Sequence, residues 1–285
     1  MASRTKVVVY TTVKIFAASA AVMALPLVAS ASAVQFDGVT AYQQNFDTLA
    51  SSGTPAWADD STLPAWYAWT QAPSPSGSPA AYTPDNGQNV IGLLSEGSDA
   101  TDRALGSRNA NATGEIRYGV VLQNKSGAAI NQINIAYTGE QWRQDTSGQT
   151  STFDDKLTVT FKIQSTDPAT QTAGTALSTS GFTATSGLNF DSPQPQISGT
   201  TGATPLDGND PANRTAVSGS ISGITWNPNQ FLILRWSDLN ITGNDNTLAI
   251  DDLSISPVPE PATASLLGLG LLLPLSRRNR RFAST

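Results

Sequence analysis

The feature that most constrains the fold of this chain is a series of short segments in which apolar and polar residues alternate, separated by clusters of Gly, Ser, Thr, Asn and Pro. Residues 157–163 are the clearest case, and residues 116–122 and 133–137 repeat the pattern. A period of two is typical of a β-strand, whose successive side chains point to opposite faces, and no stripe of helical period occurs between residues 34 and 257. The chain is therefore predicted to be all-β, with an antiparallel β-sandwich.

Two later segments predict where strands sit within the sandwich. Residues 231–236 are apolar on both faces, which is typical of a central strand covered by a second layer. In the last segment, residues 248–255, apolar residues occupy even positions up to Ile250 and odd positions from Leu253. A bulge at Asp251 and Asp252 would return both sets to the core, because one extra residue restores the parity of the strand.

Residues 34–257 are predicted to form a single exported domain. Their 224 residues are typical of one large β-domain. Residues 124–127 have the composition of a turn. Segments 71–84 and 199–213 are rich in Pro, Gly, Ser and Thr, and we interpret them as loops rather than as domain linkers.

The first 33 residues predict a signal peptide with a helical apolar core. Three basic residues precede an apolar stretch, residues 15–28, that consists largely of small side chains. Ala31, Ser32 and Ala33 then form an A-x-A site. We expect signal peptidase to cleave after Ala33 and to leave Val34 as the mature N-terminus, with cleavage after Ala31 as the alternative.

The C-terminal tail, residues 258–285, contains a Pro-Glu-Pro motif, an uncharged apolar stretch at 262–275 and a basic end at 277–281. The motif consists of Pro259, Glu260 and Pro261, and the basic residues are Arg277, Arg278, Arg280 and Arg281. The apolar stretch has 14 residues, about 21 Å as a helix against about 30 Å of hydrocarbon, so we expect a transient membrane anchor. Arginines behind it favour a cytoplasmic C-terminus. The alternative is a core helix with a solvated basic end.

This combination over residues 257–281 resembles the PEP-CTERM proteins, which are exported bacterial proteins with a Pro-Glu-Pro motif, one hydrophobic helix and a basic end. The resemblance implies that exosortase, an integral-membrane cysteine transpeptidase, recognises Pro259, Glu260 and Pro261 and cleaves near them. It further implies a transient inner-membrane anchor, followed by delivery to the cell surface or the extracellular matrix. The three motif residues would then be recognised by another enzyme and would not be catalytic in this chain.

The composition excludes several functions. The chain has no Cys and no His, which removes disulfides, Ser-His-Asp triads and His-ligated zinc. Between residues 34 and 257, nine Lys and Arg stand against 21 Asp and Glu, a net charge of about −12. A surface of this sign repels phosphates, so we expect no nucleic acid partner.

Five short pieces of the domain resemble a recurrent extracytoplasmic β-sandwich module of bacterial surface proteins. These pieces are residues 45–49, 103–106, 139–143, 206–209 and 248–253. The last of them, Leu-Ala-Ile-Asp-Asp-Leu, is similar to the closing pattern of jelly-roll sandwiches that bind sugars or other ligands. The resemblance implies a jelly-roll-like sandwich and, through it, polysaccharide as an alternative partner.

Calcium is the one cofactor that the sequence suggests. The candidate ligands are Asp207, Asn209, Asp245, Asp251 and Asp252, because carboxylate and amide oxygens are hard ligands that suit this ion. None of them has EF-hand spacing. The alternative is turn chemistry, in which Asx side chains bind nearby backbone amides.

Two further sets of residues bear on function. Trp57, Trp66 and Trp69 lie in a polar stretch and would suit sugar stacking, although core packing is the preferred interpretation for all the tryptophans. Glu140 and Asp238 would suit a glycosidase acid and base if their carboxyls stood about 5–10 Å apart. The alternative for Glu140 and Asp238 is a structural polar network with Arg143 and Arg235.

The sequence therefore favours an exported cell-surface or matrix protein with a structural or interaction role and no catalysis of its own. A carbohydrate-binding module, with or without calcium, is the first alternative. A glycoside hydrolase that uses carboxylates alone is the second.

Overall fold

The structure is a computed structural model that describes residues 32–72, 76–110, 113–145, 155–171, 175–178, 180–195, 202–241 and 243–258. The predicted signal segment up to Ala31 and the tail from Pro259 to Thr285 lie outside the described residues. So do both predicted terminal helices. Within the described ranges, no helix has the length and apolar character that a membrane span needs.

The described part of the chain is almost entirely β, which confirms the predicted all-β sandwich. The strands are β1 (Val34–Phe36), β2 (Tyr42–Gln44), β3 (Trp66–Thr70), β4 (Thr83–Asp85), β5 (Gly92–Glu96), β6 (Ala104–Arg108), β7 (Ile116–Asn124), β8 (Ile130–Asp145), β9 (Lys156–Gln164), β10 (Thr183–Ala184), β11 (Phe190–Asp191), β12 (Ala203–Pro205), β13 (Arg214–Trp226), β14 (Phe231–Asp238) and β15 (Thr247–Pro257). One helical turn, α1 (Thr175–Ser178), and two 3₁₀ turns, Pro168–Thr170 and Ser186–Leu188, complete the elements.

The strands form two sheets that pack face to face around one large apolar core. In the seven-stranded sheet, β14 pairs with β7 on one side and β9 on the other, with β1 and β3 beyond β7 and β10 and β11 beyond β9. In the eight-stranded sheet, β8 pairs with β15 on one side and with β12 and β13 on the other. Strands β2 and β6 pair with the far side of β15, followed by β5 and β4.

Strand β14 is central, as its two apolar faces predict. All eight of its residues are buried. Leu232, Leu234 and Trp236 enter the core between the sheets, where the Trp236 ring stacks on Trp66 with 5.9 Å between ring centroids. Its opposite face packs in a second apolar cluster that includes part of α1, so the outer face of this sheet is covered as well.

The last strand confirms the predicted bulge. The register of β15 against β8 shifts between Asp251 and Ser254, and Asp252 adopts a left-handed φ of 51°. Leu248, Ile250, Leu253 and Ile255 are all buried in the core as a result.

The predicted turn at residues 124–127 is present, but it joins two sheets. Asn124 Oδ1 accepts hydrogen bonds from the backbone N–H (3.0 Å) and hydroxyl (2.7 Å) of Ser126, while its amide donates to Trp226 O at 2.6 Å. Strand β7 before the turn and β8 after it belong to different sheets. The chain therefore crosses the sandwich here and does not form a hairpin.

The two segments interpreted as loops each contain a short strand. Strand β4 begins at Thr83, within the predicted loop 71–84, and β12 lies within 199–213. Both contain proline and pair at the border of the eight-stranded sheet, where a missing N–H is tolerated. One core cluster contains residues from before and after each segment.

Candidate functional site

Four carboxyl groups meet where β8, β9, β14 and β15 begin or end. This Asp238 cluster consists of Asp145, Asp155, Asp238 and Asp245, all of them buried. Ser107 Oγ donates to Asp238 Oδ2 at 2.7 Å, and the backbone N–H of Asn246 donates to Asp155 Oδ2 at 3.0 Å. The cluster is held by backbone and hydroxyl donors inside the sandwich.

Burial raises the pKa of Asp155, Asp238 and Asp245. The pKa of Asp238 lies well above its ordinary value, because the group is desolvated and Asp155 lies nearby. Burial, and then the charge of Asp238, raise the pKa of Asp245 to about 8. Part of this cluster is therefore protonated at neutral pH.

Arg108 supplies the closest positive charge to the Asp238 cluster. Its Nη2 lies 2.8 Å from Asp145 Oδ2, its Nε donates to the carbonyl of Asp245 at 3.0 Å, and its Nη1 donates to Asn89 Oδ1 at 2.8 Å. Arg143 Nε approaches the same Asp145 oxygen at 3.4 Å. Arg108 is only 1% exposed, so the ion pair is a buried one.

A second set of acids, the Asp251 cluster, surrounds the bulge of β15 and consists of Asp102, Glu140, Asp251 and Asp252. Trp142 Nε1 donates to Glu140 Oε2 at 2.9 Å. Burial raises the pKa of Glu140 to about 7, and burial followed by the charge of Glu140 raises that of Asp251 to about 8. Glu140 and Asp251 therefore bind a proton more tightly than exposed carboxyls do.

The structure brings only some of the predicted calcium ligands together. Asn209 donates to Asp102 Oδ2 at 2.9 Å and so joins the Asp251 cluster, whereas Asp245 lies in the Asp238 cluster. Asp207 Oδ1 accepts from the backbone N–H of Asn209 at 3.0 Å, which is the turn chemistry weighed as the alternative. In the described ranges, no group of three or more Asp or Glu has an arrangement that would hold a metal ion.

All six tryptophans are buried, which confirms the packing interpretation. They are Trp57, Trp66, Trp69, Trp142, Trp226 and Trp236. Trp57 Nε1 donates to Asp59 Oδ1 at 2.8 Å, and the Arg117 guanidinium covers the Trp69 ring at 4.4 Å from its centroid. The three tryptophans considered for sugar stacking therefore present no open ring face.

The structure does not bring Glu140 and Asp238 together as an acid and base. Glu140 lies in β8, and Asp238 ends β14 in the other sheet. Both are buried, and each belongs to a different cluster. The predicted arginine partners also differ, because Arg143 approaches Asp145, and Arg235 Nη1 donates to Leu177 O at 2.7 Å.

The architecture defines an all-β, two-sheet sandwich with one buried carboxyl cluster, the Asp238 cluster. Residues 257–281 match the family model of the PEP-CTERM protein-sorting motif, and the chain carries that motif. The motif marks an exported protein with a C-terminal sorting and anchor region. No curated protein matches the sequence.

Solved structures with a similar course of the chain include two bacterial β-domains. The K2 cleaved adhesin domain of Lys-gingipain is 14% identical, with 76% of this chain and 98% of that chain covered and a TM-score of 0.34. The CBM22-1 xylan-binding domain from Paenibacillus barcinonensis is 11% identical, with 77% and 94% covered and a TM-score of 0.30. Scores this low carry no information on what this chain binds.

Proposed function

We propose that this chain is a structural or interaction protein of the cell surface or extracellular matrix, processed by exosortase and without catalysis of its own. The observation that carries the proposal is the PEP-CTERM match at residues 257–281. Pro259, Glu260 and Pro261 are the proposed recognition residues, and the apolar stretch 262–275 is the proposed transient anchor.

The described part of the domain supports a structural role. The Asp238 cluster is buried and accepts hydrogen bonds from the backbone and from Ser107, and the buried Glu140 accepts one from Trp142. A general acid or base must reach the substrate within hydrogen-bond distance, directly or through one water. Glu140 and Asp238 are 2% and 0% exposed, so a substrate does not reach either of them in this conformation.

The predicted signal peptidase site borders the folded domain. Ser32 Oγ donates to Asp167 at 3.0 Å, Tyr67 Oη donates to Ser32 O at 3.0 Å, and Ala33 is buried in the second apolar cluster. Cleavage after Ala31 would keep these contacts, and cleavage after Ala33 would remove them. Both positions stay predictions.

Replacing Pro259, Glu260 and Pro261 together with alanine should abolish sorting. Without the motif, we expect the protein to keep its apolar stretch and basic end and to stay in the inner-membrane fraction, because exosortase would no longer recognise it. Fractionation of cells that express each form, followed by immunoblotting, measures this. Thr263→Ala is the matched control and should be processed normally. Equal release of the triple variant and the wild type would contradict the proposal.

The calcium alternative makes a separate prediction. If Asn209, Asp251 and Asp252 bind calcium, millimolar calcium should raise the melting temperature at pH 8, because a ligand that binds only the folded state stabilises it. The same addition should do little at pH 5, because burial raises the pKa of Asp251 to about 8 and that carboxyl is protonated there. Asp251→Asn should remove the effect and Asp207→Asn should not. If the domain has only a structural role, calcium should not shift the melting temperature. Binding to a glycan array that is lost on adding a chelator would instead favour a calcium-assisted carbohydrate-binding module.

A further inference from the structure

One long strand edge of the sandwich has no partner among the described strands. Strand β13 has 13 residues and pairs only with β8 in the described part of the chain. Its residues Arg214–Ser222 pair with Glu140–Gln132 without interruption, and the register shifts only after Ser222. On the side away from β8, no described strand pairs with this regular run of nine residues.

The outward-facing backbone groups of β13 can be assigned from the pairing. Gln141 N donates to Asn213 O at 2.8 Å, so the odd-numbered residues that follow Asn213 bond to β8 in the antiparallel alternation. The backbone groups of the even-numbered residues between 214 and 222 point away from β8. All five of these residues are exposed. The 3₁₀ turn Ser186–Leu188 packs near Gly219, on the face of β13 that carries the buried Val217 and Ile221.

The other strands at the borders of the two sheets are short. Strands β1, β2, β3, β4, β10, β11 and β12 have at most five residues each, and β4 and β12 contain Pro84 and Pro205. Short edges, proline and charge are the usual protections against edge pairing. Strand β13 has none of these protections between Thr215 and Trp226, which contain no proline, lysine or acidic residue.

We propose that β13 is a self-association edge, on which the β13 strand of a second copy of this chain pairs antiparallel and joins the two eight-stranded sheets. The charge distribution makes β13 the place where two copies of this acidic domain can approach each other. The domain carries about −12, so two copies repel over most of their surface, whereas Thr215–Trp226 contain no charge. A two-fold arrangement centred on Ser218 also sets Arg214 of one copy opposite Ser222 of the other and keeps the two arginines apart.

Tethering would strengthen such a contact. A pairing of nine residues is small, but copies held at one surface meet at effective concentrations in the millimolar range. The outer faces at the centre of the edge carry Ala216, Ser218 and Ser220, small side chains that permit close approach of the two strands. The proposal is independent of the sorting proposal, because it concerns the folded domain in solution.

Sedimentation of the purified mature protein from micromolar to about 1 mM tests the proposal. We expect a concentration-dependent monomer to dimer equilibrium, with the amides of Ala216, Ser218 and Ser220 gaining protection from hydrogen exchange as the dimer forms. Ser218→Pro removes one outward N–H, and a Ser218→Lys, Ser220→Lys double variant adds like charges across the two-fold axis. Each should weaken dimerisation at least tenfold.

Ser254→Lys is the matched control. Ser218, Ala136 and Ser254 lie in one row across β13, β8 and β15, so this variant adds the same side chain to the same face two strands from the edge. It should dimerise like the wild type. A monomer at every concentration, a dimer unaffected by the β13 variants, or protection confined to other strands would each overturn the proposal. If Ser218→Pro fails to fold, the double lysine variant and the exchange pattern decide.

Discussion

Replacing Arg108 with methionine should lower the free energy of unfolding by about 3–5 kcal/mol, because it removes one partner of a buried ion pair and leaves the other inside the protein. The Arg108 guanidinium lies 2.8 Å from the Asp145 carboxylate, and both side chains are 1% exposed. Methionine fills most of the volume of arginine, so the loss reflects charge and hydrogen bonding more than a cavity. Urea unfolding at pH 7 measures the difference.

Lys156→Met is the matched control for that substitution. Lys156 Nζ lies 3.1 Å from Asp191 Oδ1, but the two side chains are 43% and 61% exposed. Exposed pairs contribute at most about 1 kcal/mol. Similar small losses for both variants would show that the Asp238 cluster does not depend on the Arg108 charge.

The second large effect expected is a fall in stability as the pH rises from 5 to 9. Burial raises the pKa of Asp245 and Asp251 to about 8 and that of Glu140 to about 7, above their ordinary values of 3.8 and 4.5. The folded state therefore binds more protons than the unfolded chain across this range. Its stability contribution is complete below the unfolded pKa values and is lost as the pH rises through 7 and 8. We expect a loss of several kcal/mol.

Urea unfolding at unit pH steps checks this dependence. Asp251→Asn should flatten the slope, because an amide is neutral throughout. Asp37→Asn serves as the control, because Asp37 is exposed and hydrogen bonds to Thr40 lower its pKa, so it does not titrate in this window. Stability that rises from pH 5 to pH 8 would contradict the assignment of buried, protonated carboxyls.

Periodicity predicted the local structure well. The alternation at 157–163, the two-faced segment at 231–236 and the parity change near Asp251 each correspond to a strand or bulge in the structure. These signals are local, because burial on one face imposes a period of two on neighbouring residues. The sheet to which each strand belongs could not be predicted in this way. The turn at 124–127 would have the same composition in a hairpin and in a crossing between sheets.

The sequence could not predict the carboxyl clusters, because contacts between distant strands leave no local pattern. Asp145, Asp155, Asp238 and Asp245 come from strand ends that are distant in the chain, and only the sheet order brings them together. The prediction grouped Asp245 with Asp207, Asn209, Asp251 and Asp252 by composition, and it included neither Asp145 nor Asp155. Asp238, which ends the mostly apolar segment 231–238, was a local signal of a buried carboxyl.

Sorting by the C-terminal motif is the central claim, and the intact mass of the mature protein purified from its own host tests it most directly. We expect a chain that begins at Ser32 or Val34, ends near Pro259, Glu260 and Pro261, and lacks the residues from Arg277 to Arg281. An attached group at the new C-terminus would add its mass to that value. A mature protein that still contains Arg277–Arg281 would show that exosortase does not process this chain.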